Sequence, residues 1–165
     1  MKPELEKLIK DSGLDPTCCV LRQVTRTSRT IVAAFDAALA PAGVTAHQFT
    51  VLVAVAHGGP MNVNALAAAV GMHPSTTPRM IAPLTRRGLV RVHQGADRRE
   101  RLVTVTAKGN KTLLCAYPLW AEVQRSILQH LGPAAWPAVI QSLSAIRLSV
   151  SKRPSVGHVD YHSDH

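Results

Sequence analysis

Two short stretches of this chain alternate apolar and polar residues, whereas the segments on both sides repeat their apolar residues every three or four positions. The alternating stretches are Leu89–Val92 and Leu102–Val105, and a period of two is typical of half-buried strands. Residues 93–101 lie between them, are rich in charge and include Gly95. The sequence therefore predicts one β-hairpin with a long basic tip, set in a chain that is otherwise helical.

The first third of the chain predicts two helices behind a polar arm. We expect the arm, residues 1–16, to be ordered only when a partner holds it. Apolar residues near positions i, i+3 and i+4 predict a helix over 18–40. Thr45 and Gln48 then have the spacing of a capping box and open the second helix.

Two short helices joined by a tight turn come next. Asn62 or Asn64 caps a helix over 65–70, and Gly71 forms its C-terminal turn. The following helical segment ends at Arg87, directly before a glycine. Two short helices with a glycine-containing turn are a candidate helix-turn-helix.

After the hairpin, the pattern returns to helical spacing. Thr106 caps a long helix that reaches about Leu131, and Pro118 lies inside it, where we expect a kink. A last helix covers 134–150, and the polar tail from Ser151 is expected to fray.

The positive charge of the chain is concentrated in one segment. The sequence has 19 Lys and Arg against 10 Asp and Glu, a net charge of +9. Residues 73–111 hold nine basic and two acidic side chains, whereas Thr30–Pro78 contains no Lys or Arg. A localised basic patch is the expected footprint of phosphate binding, and a solvated basic surface is the alternative.

Several classes of protein are disfavoured by composition. No apolar run approaches the roughly 20 residues that a bilayer span requires, so no membrane association is expected. The polar N-terminus, Met1–Glu6, lacks the apolar core of a signal peptide. Three cysteines do not make a disulfide scaffold. We therefore expect a cytoplasmic protein with reduced thiols.

A set of short fragments, taken in order along the chain, resembles the MarR family of winged helix-turn-helix regulators. The fragments are Leu66–Gly71, Arg79, Leu84–Val90, Asp97–Arg99 and Val103–Gly109, preceded by Leu21-Arg22, Leu39 and Gly43–Phe49. The resemblance covers about residues 18–150. It implies a mainly α (α+β) fold in a single domain over 1–165.

The resemblance also implies how that domain is organised. It has a winged helix-turn-helix flanked by dimerisation helices and flexible ends. These parts would be the winged helix-turn-helix at 62–106, the dimerisation helices at 18–57 and 107–150, and the flexible ends at 1–16 and 151–165. The long apolar faces of the terminal helices independently favour a dimer, because a chain of this size has too few other residues to bury them.

In a winged helix-turn-helix, the second helix enters the major groove and reads base edges near its N-terminus. This would bring Ser75, Thr76, Thr77 and Arg79 to the DNA, where an arginine grips guanine with two hydrogen bonds. Simple N-capping is the alternative for the Ser75 and Thr76 hydroxyls.

The end of the same helix and the hairpin tip carry further candidates. Arg86 and Arg87 are either phosphate contacts or partners of the helix C-terminal dipole. Arg98 and Arg99 resemble the wing arginines of the family, which reach a flanking minor groove. Asp97 would brace the wing arginine by a salt bridge, and an ordinary charged turn is the alternative.

Three prolines make the second helix unusual. Pro74 lies before the helix and is harmless. Pro78 is tolerated if the helix starts near Ser75 or Thr76, and Pro83 should bend it. A winged-helix module that binds a ligand or a protein without reading DNA is therefore a second alternative to a regulator.

The function implied is a homodimeric repressor that binds a pseudo-palindromic operator on double-stranded DNA and is released by a small aromatic or phenolic effector. Arg22, Arg26, His47 and His57 are the polar candidates for binding that effector, and each has an ordinary core or surface role as its alternative.

Oxidation of Cys18 or Cys19 is the other candidate signal, because a helix N-terminus favours the thiolate. However, the peroxide-sensing branch of the family has tyrosines around its cysteine, and the first helix of this chain has none. We expect a buried, inert thiol at Cys115 and for at least one of the pair.

No cofactor or metal site is expected. The histidines of the tail lack the spacing of a firm ligand set. The sequence contains no phosphate-binding loop, nucleotide-binding glycine pattern or hydrolase motif, so nothing in it supports an enzyme.

Overall fold

A computed structural model of the chain describes residues 2–95 and 100–151. Within these ranges the chain is mainly helical, with one small sheet, as the sequence predicts. The helices and strands are, in order, α1 (Pro3–Ser12), α2 (Val20–Leu39), α3 (Ala46–Gly58), β1 (Met61–Asn62), α4 (Val63–Val70), α5 (Thr77–Arg86), β2 (Val90–Gln94), β3 (Arg101–Val105), α6 (Ala107–Leu131) and α7 (Ala135–Ser151). Short 3₁₀ turns precede α2 and α3.

The sheet is antiparallel, with the strand order β1-β3-β2. The predicted hairpin is confirmed: Val92 pairs with Val103, and the Gly95 N–H donates to the Glu100 carbonyl at 2.9 Å. The sequence did not predict β1. This strand has only two residues, Met61 and Asn62, and exists because they pair with β3.

The capping residues act largely as their sequence positions predict. At α3, the Thr45 hydroxyl accepts from the Gln48 N–H and the Gln48 side chain accepts from the Thr45 N–H, both at 3.3 Å. Asn62, and not Asn64, caps α4 by accepting from the Ala65 N–H at 2.8 Å. The Thr106 hydroxyl accepts from the Gly109 N–H at 3.0 Å, which begins α6.

The N-terminal arm corrects one expectation, because residues 3–12 form helix α1 without any partner chain. Pro3 occupies its first position, where proline is favourable, and Glu4 and Glu6 lie in the first turn. Gly13 ends the helix in the left-handed conformation, with φ at +63°. These local signals are all in the sequence, although α1 buries none of its residues.

The described part of the chain forms two compact units, which divide between Val123 and Gln124. The boundary falls inside α6, which continues through Pro118 as one helix. The first unit has an aliphatic core drawn from α2 to α6. Its largest fully buried side chains include Leu39, Leu52, Leu66, Leu84 and Leu89.

Gly109 shows how tightly α6 packs in the first unit. A methyl group at this position would collide with the Leu89 carbonyl oxygen and would lie 2.8 Å from Val105 Cγ2. Only glycine lets the first turn of α6 approach the strands this closely.

The second unit has no buried residue anywhere between Gln124 and Ser151. Its exposed apolar side chains include Ile140, Leu143 and Val150 of α7, and Leu143 is 50% exposed. The residues beyond Ser151, where we predict a frayed tail, lie outside the described part of the chain.

Among the described residues, no single helix is both long and apolar enough to cross a membrane. Helices α2 and α3 meet the length and composition requirement only when they are taken together, and they are bent by 72°.

Candidate DNA-binding surface

Helices α4 and α5 form the predicted helix-turn-helix. Gly71 adopts the left-handed conformation, with φ at +67°, and the Met72 N–H donates to the Ala67 carbonyl at 2.9 Å. Thr77, Ile81 and Leu84 face the core and are buried. The opposite side of α5 is therefore free to meet a partner.

The prolines fit this helix better than its sequence suggests. Because α5 begins at Thr77, Pro78 lies in its first turn, where a missing N–H costs nothing. Pro83 lies inside the helix, which nevertheless continues to Arg86. The proline ring removes one backbone hydrogen bond, and the buried residues on either side of it hold the helix against the core.

The side chains predicted to read bases divide into two groups. Ser75, Thr76 and Arg79 are exposed. Ser75 does not cap the helix, because its hydroxyl lies 2.8 Å from Nδ1 of His73. Thr76 occupies the N-cap position without a side-chain capping bond. The N-capping alternative therefore fails for both hydroxyls.

Thr77 corrects the prediction that its side chain contacts DNA. It is fully buried, and its hydroxyl donates to the His73 carbonyl at 3.2 Å. Its methyl group belongs to the core and its hydroxyl secures the turn, so neither faces a partner.

The C-terminal end of α5 is tied to two other helices. Nη1 of Arg87 donates to Oε1 of Gln48 at 3.5 Å, at the first turn of α3. Nζ of Lys108, at the start of α6, donates to the Arg87 carbonyl at 2.8 Å. Sequence reasoning missed Lys108, since only the tertiary fold brings it to this carbonyl. Arg86 is exposed beside them.

Asp97, Arg98 and Arg99 lie outside the described residues, so their predicted roles remain predictions. The strands that lead to them carry further exposed arginines, Arg91 on β2 and Arg101 on β3. These side chains extend the basic surface from α5 towards the hairpin.

A separate cleft of about 430 Å³ lies between α3 and α6. Its apolar walls include Val53, Leu113 and Leu114, while His57 and Tyr117 add polar atoms. The Tyr117 ring also lies 5.5 Å from that of Trp120, between ring centres. This cleft is of the size that small organic ligands occupy.

Of the four predicted effector-binding residues, only His57 lines that cleft. Arg22 and Arg26 lie on α2, His47 lies at the start of α3, and all three side chains are exposed. The sequence did not single out Tyr117, although its position in the apolar repeat of α6 was a signal.

The cysteines correct the expectation of buried thiols. Cys18, Cys19 and Cys115 are all exposed. The Cys18 thiol donates to Oδ2 of Asp15 at 3.6 Å. Hydrogen bonds from the Thr17 hydroxyl and N–H hold the pKa of Asp15 below its usual range, so this neighbour is anionic. Reactive cysteines have cationic neighbours instead, and the geometry does not favour an oxidant sensor at Cys18.

Within the residues that the structure describes, no three His, Cys, Asp or Glu side chains come together in a way that could hold a metal ion.

Comparison with known proteins shows that this chain is similar to transcriptional regulators. A family model described as the MarR family matches residues 42–100. The transcriptional regulator HosA of Escherichia coli O127:H6 is 36% identical to this chain over 86 residues, which are 52% of this chain. The matched region spans 64% of HosA, just under two thirds of its length.

Solved structures extend the similarity over most of the chain. The M. tuberculosis transcriptional regulator MosR, in complex with DNA, is 33% identical with a TM-score of 0.74, and the match covers 81% of this chain and 96% of MosR. Bordetella bronchiseptica BpsR, whose DNA binding is regulated by 6-hydroxynicotinic acid, is 28% identical with a TM-score of 0.69. That match covers 78% of this chain and 98% of BpsR.

Proposed function

Because the chain belongs to the MarR family of transcriptional regulators, we propose that it is a sequence-specific double-stranded DNA-binding protein that acts as a homodimeric repressor. The observation that carries this proposal is the exposed side of α5. It bears Arg79 and Arg86, and the exposed Ser75 and Thr76 lie directly before its first residue, Thr77. All four belong to the segment that holds most of the net charge. MosR, which has a similar fold, was solved in complex with DNA, and this supports DNA binding by the present chain.

The contacts follow from the position of each side chain. Arg79 reads a guanine in the major groove, with the Ser75 and Thr76 hydroxyls beside it. Arg86 meets a phosphate. Arg87 neutralises the same backbone while its guanidinium stays tied to Gln48. At the hairpin tip, Arg98 and Arg99 enter a minor groove, and Asp97 orients Arg99.

A dimer accounts for the apolar surface of the terminal helices. Leu21 on α2 is 74% exposed, and Ile140 and Leu143 on α7 are also exposed. A second copy would cover such residues, and two copies of α5 would then reach half-sites about 34–36 Å apart on a pseudo-palindromic operator. A repressor acts where the genome is, so we assign the protein to the cytoplasm.

Binding to the DNA upstream of the protein's own gene, measured across a salt series, tests this function. We expect nanomolar binding to one fragment, and a slope of log K against log salt steeper than about −4, because each neutralised phosphate contributes about −0.9. An unrelated fragment of equal length is the control. Weak binding that is equal for both fragments would reject the proposed function.

The repressor is released, in this proposal, by an aromatic or phenolic acid bound in the cleft between α3 and α6. The apolar walls suit an aromatic ring, and His57, Asn110 and Tyr117 suit its polar substituents. The regulation of BpsR by 6-hydroxynicotinic acid supports an effector of this class.

The effector proposal predicts a difference between two histidines. In the presence of labelled operator, a panel of hydroxybenzoic acids and 6-hydroxynicotinic acid is titrated against wild type, His57→Ala and His47→Ala. For the acid that acts, we expect His57→Ala to raise the half-releasing concentration about tenfold or more, the cost of one lost charge-assisted hydrogen bond. His47→Ala, outside the cleft, should match wild type. Equal behaviour of the two variants would move the effector elsewhere.

A further inference from the structure

The exposed side of α5 is not uniformly basic, because two apolar residues lie on it. Arg79, Ala82 and Arg86 follow the spacing i, i+3 and i+7, so they share one side of the helix. Pro78 lies one turn before Ala82, and both are exposed. We call Pro78 and Ala82 the apolar strip.

The apolar strip continues into a cleft of about 490 Å³ between α5 and the hairpin. Val63 of α4 and Val92 of β2 form part of its lining, and Arg86 and Arg101 also contribute to it. Among the residues that the structure describes, no acidic side chain lines this cleft. The surface is therefore apolar at its centre and positively charged at its edges, which is complementary to a base edge between phosphates.

We propose that Ala82, supported by Pro78, selects thymine in each half-site by contacting its C5-methyl group. This inference rests on the proposed function. The thymine methyl is the apolar feature by which a base pair can be recognised in the major groove, and alanine is one of its ordinary partners. A donor or acceptor placed against Ala82 would lose its hydrogen bond to water and gain none.

The helix geometry sets where that thymine lies. Arg79 and Ala82 are about 4.5 Å apart along the helix axis, at 1.5 Å per residue. This is between one and two base steps of about 3.4 Å. Each half-site should therefore carry a thymine within two base pairs of the guanine that Arg79 contacts.

The test replaces thymine by uracil, which removes the methyl group and leaves every hydrogen-bonding atom unchanged. Duplexes bound by the full-length protein are first selected from a random pool. Each thymine of the selected site is then replaced by deoxyuridine, in both half-sites together. At one thymine we expect wild-type affinity to fall about fourfold per half-site, the value of one buried methyl group.

Ala82→Gly makes the test specific for this residue. The variant should bind the thymine and uracil duplexes with equal affinity, because the methyl of Ala82 is gone. Any loss of helix stability lowers the affinity for both duplexes by the same factor, so it cancels in the ratio of the two affinities. Ala33→Gly, which removes an exposed methyl from the interior of α2, should keep the full preference for thymine.

The outcomes separate this inference from the function on which it rests. If the selection enriches a sequence but uracil is tolerated at every position, the thymine contact is wrong and the repressor stands. A preference for thymine that persists in Ala82→Gly would also overturn it. If the selection enriches no sequence, the proposed function fails, and the thymine contact fails with it.

Discussion

Replacing Arg79 by alanine is expected to lower affinity for the specific operator by about 30-fold or more. The side chain is exposed on the first turns of α5, where a recognition helix meets base edges. A two-bond contact between arginine and guanine contributes about 1–3 kcal/mol of discrimination. A dimer makes this contact twice, so the loss should reach at least about 2 kcal/mol for the complex.

Fluorescence anisotropy with a labelled operator and an unrelated duplex measures this effect. Arg29→Ala is the matched control, since it removes the same charge from an exposed position on α2. Its operator affinity should stay within about threefold of wild type, because a distant exposed charge is screened. If Arg79→Ala weakened both duplexes equally, Arg79 would be a phosphate contact and base reading would have to reside elsewhere on α5.

Two charges placed on the apolar side of α7 are expected to convert the dimer to a monomer. Ile140→Asp with Leu143→Asp puts carboxylates on two exposed apolar positions of a helix that buries none of its residues within the chain. Burying those charges against a second copy would be too costly. Operator affinity should then fall about 100-fold or more, because the two recognition helices are no longer joined in one dimer and must bind their half-sites independently.

Sedimentation or light scattering reports the mass, and the anisotropy assay reports the affinity. Gln141→Asp with Ala145→Asp is the control, since it adds the same charge to exposed residues on the other side of α7. This control should remain dimeric. If the Ile140 and Leu143 variant also stayed dimeric with full operator affinity, α7 would not contribute to the interface.

Local signals in the sequence were sufficient to predict the helix ends, where particular residue types cap the backbone. The Thr45 and Gln48 capping box, the Asn62 cap and the left-handed Gly71 lie where the sequence predicts them. Helix α1 was predictable as well, because Pro3, the early glutamates and Gly13 mark its ends. The polar composition of residues 1–16 predicts an arm instead, but the helix-capping residues decide the local structure.

Burial was predicted less well than helix ends. Cys115 was expected inside and lies on the surface, while Thr77 was expected on the DNA and lies in the core. Cysteine and threonine are small side chains that fit either a core or a surface. Their positions in a helix therefore do not decide whether they are buried. That depends on which neighbouring helix packs against them.

The sequence by itself determined the helix-turn-helix, the hairpin, the basic segment at 73–111 and the resemblance to the MarR family. Spacing, capping and charge act between residues close along the chain, so they can be read without the fold. Only the tertiary structure decided the contacts of Arg87 with Gln48 and Lys108, the pairing of β1 with β3, and the apolar strip exposed on α5. The contacts and the strand pairing join residues far apart in the sequence, and the exposure of the apolar strip depends on which side of α5 packs against the core. No local pattern contains that packing.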